Sequence, residues 1–475
     1  MAQVELPPEI WRQIMRYLPN FSRRTCLFVS MLVHDLAAEI LFSTVNIHFG
    51  AWEHSPTPHV RGYALERARA SASWNILQRI RSDPQFAKYV KKVIVYSYAR
   101  HHAVFERCCL AETLGYLKDL RSFTWHGSSP KVSTGVLTAL KESCPQLEEL
   151  TIPIKAMFEN RVDQFDNLRV MAFTTEDDDY VGADLIFNHS SDRERAQYRL
   201  NLESSSDALL ALRTPYIAAL HDSMHRFYQL TELDILNLKD MDLFAYILRN
   251  CEQLESFSIL LNGAVKQVQL SDVLAQHTNS LPRLRFFKLI TLSLDHTIDA
   301  DVEILADFVR AKQELRRLLC TVYFSWDNIR PYLDAVSALK HLHTFALDVP
   351  GALDAASASC VRHYIPRHIT ALWLVFDSCE RQLLRDIWTH FGDVRFAYVR
   401  LWEESNGFTV EDLVETTPQS QLVVLNGSFR HVERSGDPVQ ISPPWSARKV
   451  FFRSVDDFGC EDWEWLARHH EIVVE

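Results

Sequence analysis

One short pattern recurs along this chain and limits what it can fold into. A core of the form L-x-x-L-x-L, or close to it, starts at Leu120 (LRSFTW), Leu147 (LEELTI), Leu168 (LRVMAF), Leu230 (LTELDI), Leu254 (LESFSI), Leu284 (LRFFKL), Leu315 (LRRLLC), Leu342 (LHTFAL) and Ile369 (ITALWL). A degenerate copy, FAYVRL, starts at Phe396. The steps between the nine are 27, 21, 62, 24, 30, 31, 27 and 27 residues. In a chain that is 47% hydrophobic, three apolar places match by chance about one time in ten, but nine matches near one period do not. Alternating apolar residues in each core predict a strand with one face turned inward. Most cores follow a helix-like stretch that ends in a tag such as CPQL, CEQL, LPRL or LKHL. No such unit buries its apolar face alone. Units must stack, with parallel strands along one wall and helices along the other.

This layout resembles a degenerate leucine-rich-repeat solenoid. The expected fold class is therefore α/β, with parallel strands on the concave face and helices on the convex face. Cys144 and Cys251 fall at helix-to-strand corners. They resemble the cysteine at that place in cysteine-containing leucine-rich repeats, which reads equally as a small buried thiol. The step of 62 residues marks a polar insertion near 174–206, with a strand expected at Tyr198–Leu202 and a helix started by Pro215. The acidic run Glu176 to Asp179 reads as a solvated loop. After residue 400 the period fades. LVVLNGSF, KVFFRSV and EIVVE read as strand pieces, and EDWEWLARHH reads as a helix. Residues 401–475 are the expected cap that a solenoid end requires, with exposed loop around Gly436 and Pro443-Pro444.

The first fifty residues have another character. In LPPEIWRQIMRYLP, Pro7 and Pro8 suit the first turn of a helix, and Glu9 suits its positive end. Ile10, Ile14 and Leu18 make one apolar row, and Trp11, Met15 and Leu18 an adjoining one. That stripe is wider than a free-standing helix needs. Ser22 caps a second short helix to about Ser30, with Cys26 and Val29 inward; a third runs from about Leu32 to Phe42. Three short helices with broad apolar faces do not close a core by themselves. LPPEI-x3-I-x3-LP, then TCLFVS, then DLA, resembles the F-box, the module that docks on the Skp linker of SCF ubiquitin ligases. The whole layout resembles a fungal-type F-box protein. The resemblance implies that Leu6, Pro7, Ile10, Ile14 and Leu18 face Skp, with Val29 and Leu36 holding the helices together. Val33 stands where many F-boxes carry Trp. The implied organisation is an F-box domain over 1–48, a linker and helix over 49–90, the repeat array over 91–400 and the cap.

The function that follows is a substrate-recognition adaptor. It would dock on Skp and through it on a cullin, bind a target protein with its repeats, and hold no catalytic residue itself. On the concave wall the outward residues of each strand are Glu232 and Asp234, Ser256 and Ser258, Phe286 and Lys288, Arg317, Trp373 and Tyr398. Phe286, Lys288, Arg317, Trp373 and Tyr398 are the expected target-binding residues, since exposed aromatics with cations are the usual composition of an interface hot spot. The alternative is that the C-terminal tail folds over them. A slip of one residue would turn every one of them inward. Net charge is −11, which speaks against a nucleic-acid partner. Nine cysteines without C-x-x-C spacing predict reduced thiols, no metal and no cofactor, in the cytoplasm or nucleus. The opening MAQVELPPEI lacks the pattern of a secretory signal, and no apolar run is long enough to span a membrane. No phosphate-cradling, metalloprotease or serine-hydrolase motif occurs. A repeat-type scaffold unconnected with ubiquitination stays open, as does an enzyme on an unrecognised α/β fold.

Overall fold

The structure is a computed structural model that describes residues 6–18, 20–51, 61–99, 104–159, 165, 167–174, 196–201, 208–214, 228–238, 240–261, 267–291, 302–321, 325–403, 407–434, 438–446, 449–450, 452 and 455–468. The chain divides into two compact units, Met1–Leu212 and Arg213–Glu475.

The first unit opens with three helices, α1 (Pro8–Tyr17), α2 (Asn20–Cys26) and α3 (Met31–Leu41). Pro7 is the N-cap of α1 and Pro8 lies in its first turn. Met15, Leu36 and Ala37 form a small buried centre, with Trp11, Leu18, Cys26, Leu27, Val33 and Ile40 packed around it. The Arg23 guanidinium closes the end of α1 by donating to the Met15 carbonyl at 2.8 Å. The second helix stops at Cys26, short of the expected Ser30, because Ser30 serves as the cap of α3, its hydroxyl accepting from the Val33 amide. Val29 consequently lies in the connecting turn and is 65% exposed, a correction to its expected inward position; Leu36 is buried as expected.

Five parallel strands follow in spatial order: β1 (Thr44–Gly50), β2 (Lys92–Tyr98), β3 (Ser122–Ser129), β4 (Glu149–Pro153) and β5 (Val170–Thr174). Helices Arg61–Ser82, Val104–Leu114 and Thr134–Ser143 connect the first four. The insertion near 174–206 lies largely outside the described residues, as do the Glu176 to Asp179 run and Pro215. Residues 196–201 are helical where a strand was expected. Gln197 donates to Asn201 one turn on, at 2.8 Å, and Asn201 donates to the Met157 carbonyl. That spacing needs a helix. Strand β6 (Ala211–Thr214) spans the boundary between the units.

The second unit is a regular strand–helix array. Its parallel strands are β7 (Glu232–Leu238), β8 (Ser256–Leu261), β9 (Phe286–Thr291), β10 (Arg317–Thr321), β11 (Thr344–Asp348), β13 (Ala371–Phe376), β15 (Phe396–Leu401) and β16 (Leu422–Leu425), each paired with the next. β12 (Ala352–Leu353) and β14 (Ser378–Cys379) form a short side pair. Asn426 and Gly427, both at positive φ, turn the chain from β16 into antiparallel β17 (Ser428–Glu433). β18 (Gln440–Ile441) pairs onto that. Every strand that follows one of the nine predicted cores begins two residues after the core's first residue.

The corner residues Leu254, Leu315, Leu342 and Ile369 have no exposure at all. Beside each corner a backbone carbonyl accepts two amides from the next repeat: Arg285 takes Arg316 and Arg317, and Arg316 takes His343 and Thr344, at 2.7–3.1 Å. Buried backbone is thus satisfied where the chain leaves the ladder. One face of the sheet packs on the helices. Phe257 meets Phe244, Phe287 meets Phe308, and Phe345 meets Tyr332. This is a leucine-rich-repeat-like arrangement, α/β with parallel strands, and it stands on the residues that the repeat pattern picked out. Cys144 and Cys251 cap helices at the corners, and burial pushes both thiols up to about 12.

The register separates neighbours on one strand. Phe287→Ala empties a helix-facing site and should cost about 3–5 kcal/mol in urea unfolding. Phe286→Ala, on the opposite face, should cost clearly less. Equal losses would mean that the strand does not hold this register.

Candidate functional site

Two apolar surfaces stand out, one in each unit. The first is on α1. Trp11, Met15 and Leu18 turn toward the helix core, while Ile10 and Ile14 are 46% and 37% exposed. Leu6 is 40% exposed, and Pro7 beside it is exposed. Tyr17, Phe21, Phe28 and Met31 add large exposed side chains on the same small module. Four of the five predicted docking residues, Leu6, Pro7, Ile10 and Ile14, are thus exposed, and Leu18 is half-buried against the core. The helix is apolar on two adjoining rows and buries only one. Val33 packs on the buried core, not in the exposed row.

The second surface is the face of the β7–β16 sheet away from the helices. Cross-strand pairing aligns Phe286, Arg317, Thr344, Ala371 and Phe396 in one row. Lys288, Leu319, Ala346, Trp373 and Tyr398 form the next but one. Phe286, Lys288, Arg317, Trp373 and Tyr398 therefore share the expected face. Of the two arrangements weighed for this wall, the structure has the covered one: Lys288 is 1% exposed, Trp373 6% and Tyr398 0%. The chain's own later residues cover them. Trp373 and Tyr398 stack at 3.5 Å, with Phe429 of β17 against Tyr398. Trp445 and Phe458 pack on Phe429. The last described helix, Glu461–Ala467, lies over the first row, with Trp463 on Phe396 and Trp465 on Phe286.

Charge, not apolar area alone, seats this helix. Asp462 pairs with Arg317 at 2.5 Å and approaches His343 at 3.6 Å. Burial, outweighing Asp462, holds His343 below its ordinary pKa, so the imidazole is neutral at pH 7. The Lys288 ammonium donates to the Trp465 and Arg468 carbonyls and lies 4.6 Å from the Trp465 ring centre. Those carbonyls are the negative end of a helix, where a cation is favoured. Arg468 makes a two-pronged pair with Glu464 at 2.7 and 2.9 Å. It also donates to Glu232 at 2.8 Å and to Asp234 at 3.1 Å. Arg213 meets the same Glu232 at 2.8 Å. Burial raises the Glu464 carboxyl, but Arg468 overrides it and holds it at about 2. The sequence marked Glu232, Asp234, Lys288 and Arg317 as facing this wall. It did not identify Asp462, Glu464, Trp465 and Arg468 as their partners, because a contact across 177 residues has no periodic signature.

Elsewhere, an open groove of about 490 Å³ is lined by Ser337, Arg362, His363, Arg367 and His390, at the C-terminal ends of three helices. Cations complement those ends. Among the described residues no group of three or more His, Cys, Asp or Glu is placed to hold a metal ion, and no helix is long and apolar enough to cross a membrane. Of KVFFRSV, only Lys449, Val450, Phe452 and Val455 are described, and none is in a strand. EIVVE and Gly436 lie outside the described residues.

No protein-family model matches the chain, and no curated protein matches it. Solved structures similar to it include the leucine-rich repeat-containing protein LegL7 from Legionella pneumophila, at 13% identity and TM-score 0.33 over 60% of this chain and 90% of that one. TLR13 in complex with ssRNA13 is similar at 13% identity and TM-score 0.28 over 71% of this chain and 39% of that one. A protein from Bacteroides fragilis is similar at 10% identity and TM-score 0.21 over 67% of this chain and 70% of that one.

Burial, with Arg468 adding to it, lowers the Lys288 pKa to about 7 from an ordinary 10.5. The folded chain gives up this proton as pH rises through about 7, while the unfolded chain keeps it to its ordinary value. Stability carried by Lys288 therefore rises with pH across that window. In urea unfolding, the unsubstituted chain should gain on Lys288→Met between pH values of about 7 and 9. A flat difference would refute the burial of this ammonium.

Proposed function

We propose that this chain is a substrate-recognition adaptor of an SCF-type ubiquitin ligase. Its N-terminal helices dock on a Skp-type linker, and its repeats bind a target protein. The observation that carries this reading is the second apolar row of α1, Ile10 and Ile14 with Leu6, left exposed while the first row builds the core. A helix that serves only as a cap for its own repeats has no use for that row. The sequence LPPEI-x3-I-x3-LP coincides with it.

On this reading the chain contributes position, not chemistry. The linker brings the cullin and its associated E2, and the repeats raise the effective concentration of target lysines there. The chain then holds no catalytic residue and takes no cofactor. It works in the cytoplasm or nucleus, apart from nucleic acid and membrane. The second reading, a repeat-type scaffold outside any ligase, predicts Ile10 buried against the chain itself, and its 46% exposure counts against that.

The test is binding of the full chain to a purified Skp-type linker, beside Ile10→Asp/Ile14→Asp. Two charges at the centre of an apolar interface should weaken binding by about a hundredfold or more. No binding by the unsubstituted chain, or equal binding by both, would overturn the adaptor reading.

A further inference from the structure

The helix over the second unit's wall is seven residues long. That is far below the length at which a helix persists by itself in water. Its order comes from its seat. Solenoid ends are commonly sealed with a polar outer surface over an apolar contact. This seat is built otherwise. Within one small contact it holds Lys288, Arg317, Arg468 and Arg213 against Asp462, Glu464, Glu232 and Asp234, with Trp465 between Lys288, Arg317 and Phe286. Removing so many charges from water offsets most of what their pairing returns. What such pairing supplies is address: Asp462 fits where Arg317 stands, and Arg468 fits where Glu232 and Asp234 stand. The buried Trp463, Trp465 and Leu466 hold the helix down, and the charges around them fix its register, so a segment with the same order of charges is what can compete for the seat. Gly459, at φ +71°, is the joint just before the helix.

We propose that this wall is a docking surface for a target helix of matching chemistry, and that residues 461–468 occupy it until such a target displaces them. The target segment carries an acidic side chain for Arg317, an aromatic for the Phe286–Lys288–Arg317 pocket and a cation one turn or two further on for Glu232 and Asp234. This rests on the reading that the repeats bind a target protein, and it names the surface and the segment they take. Of the five residues first marked as target-binding, Phe286, Lys288 and Arg317 become target-binding only after the strap has left, while Trp373 and Tyr398 stay under Phe429.

Two measurements on the full chain test it. Hydrogen exchange of the unsubstituted protein at neutral pH should show the amides of residues 463–468 exchanging at least about a hundredfold faster than those of β9, β10 and β11. Protection equal to the strands would make the helix a permanent cap and overturn the proposal. A labelled synthetic peptide with the sequence of residues 459–470 is then titrated onto the full chain and onto Asp462→Asn/Arg468→Met. Those substitutions weaken the strap and change no side chain of the wall, where Arg213 still meets Glu232 and Asp234. The variant should bind the peptide at least about tenfold more tightly than the unsubstituted chain. Equal or absent binding by both overturns the proposal. If the variant does not fold, the exchange experiment decides alone. Linker binding read on the same preparations separates the two ideas, since loss at Ile10 and Ile14 leaves the peptide result unchanged.

Discussion

A sheet has two faces, and a repeat array covers only one with its helices. Everything distinctive in the second unit follows from what the chain does with the other. The strands β9 to β15 are apolar on both sides. Phe287, Leu318, Phe345 and Leu372 point to the helices, and Phe286, Ala371, Trp373, Phe396 and Tyr398 point away. Left in water, the second set would be an exposed patch well beyond what a soluble surface tolerates. The chain covers it with Phe429, Trp445, Phe458, Trp463 and Trp465. The aromatic character of the late strands and the aromatic character of the final segment are two halves of one packing layer.

Against this background the charged network is a problem of position. Apolar cover is tolerant of sliding, since one aromatic pair is much like another. A bidentate Arg468–Glu464 pair that also meets Glu232 and Asp234 is not tolerant. Asp234 has no side-chain exposure, so its charge requires the guanidinium of Arg468 beside it. Glu232 and Asp234 of β7 thus complement the cation that ends the helix, and Phe286, Lys288 and Arg317 of β9 and β10 complement its Asp462 and Trp465.

The fold was largely legible because it is periodic. Leucine spacing located nine strands, each beginning two residues into its core, and alternation within LRFFKL put Phe286 and Lys288 on one face and Phe287 on the other. Those are local rules, and they hold where a repeat constrains both neighbours. Three kinds of feature escaped them. The segment at 196–201 took a helix through a side-chain bond at i, i+4 that no hydrophobic period announces. Val29 lost its inward place because Ser30 prefers to cap the next helix, a competition between two local signals. The cover over the wall depends on contacts between residues far apart in sequence, and composition distinguishes an open aromatic wall from a covered one poorly. For that reason the sequence placed these residues on one face and left open whether the C-terminal tail folds over them.

The same contrast bears on the N-terminal helices. There the apolar surplus is not covered by any described part of the chain, although α3 lies against the same α1. The difference is chemical. The exposed row of Ile10 and Ile14 with Leu6 is aliphatic, with Glu9 and Arg16 to its sides and no buried charge to specify a partner within the chain. Val33, the one departure from the resemblance, belongs to the inner packing around Met15, Leu36 and Ala37, so its small side chain alters how the helices hold together and leaves the outer row as it is. One surface of this chain therefore carries an occupant with a charge-coded fit, and the other carries none. A surface of the second kind is recognised by shape and apolar area, which many helical partners can share; one of the first kind discriminates by placing each charge opposite its counter-charge.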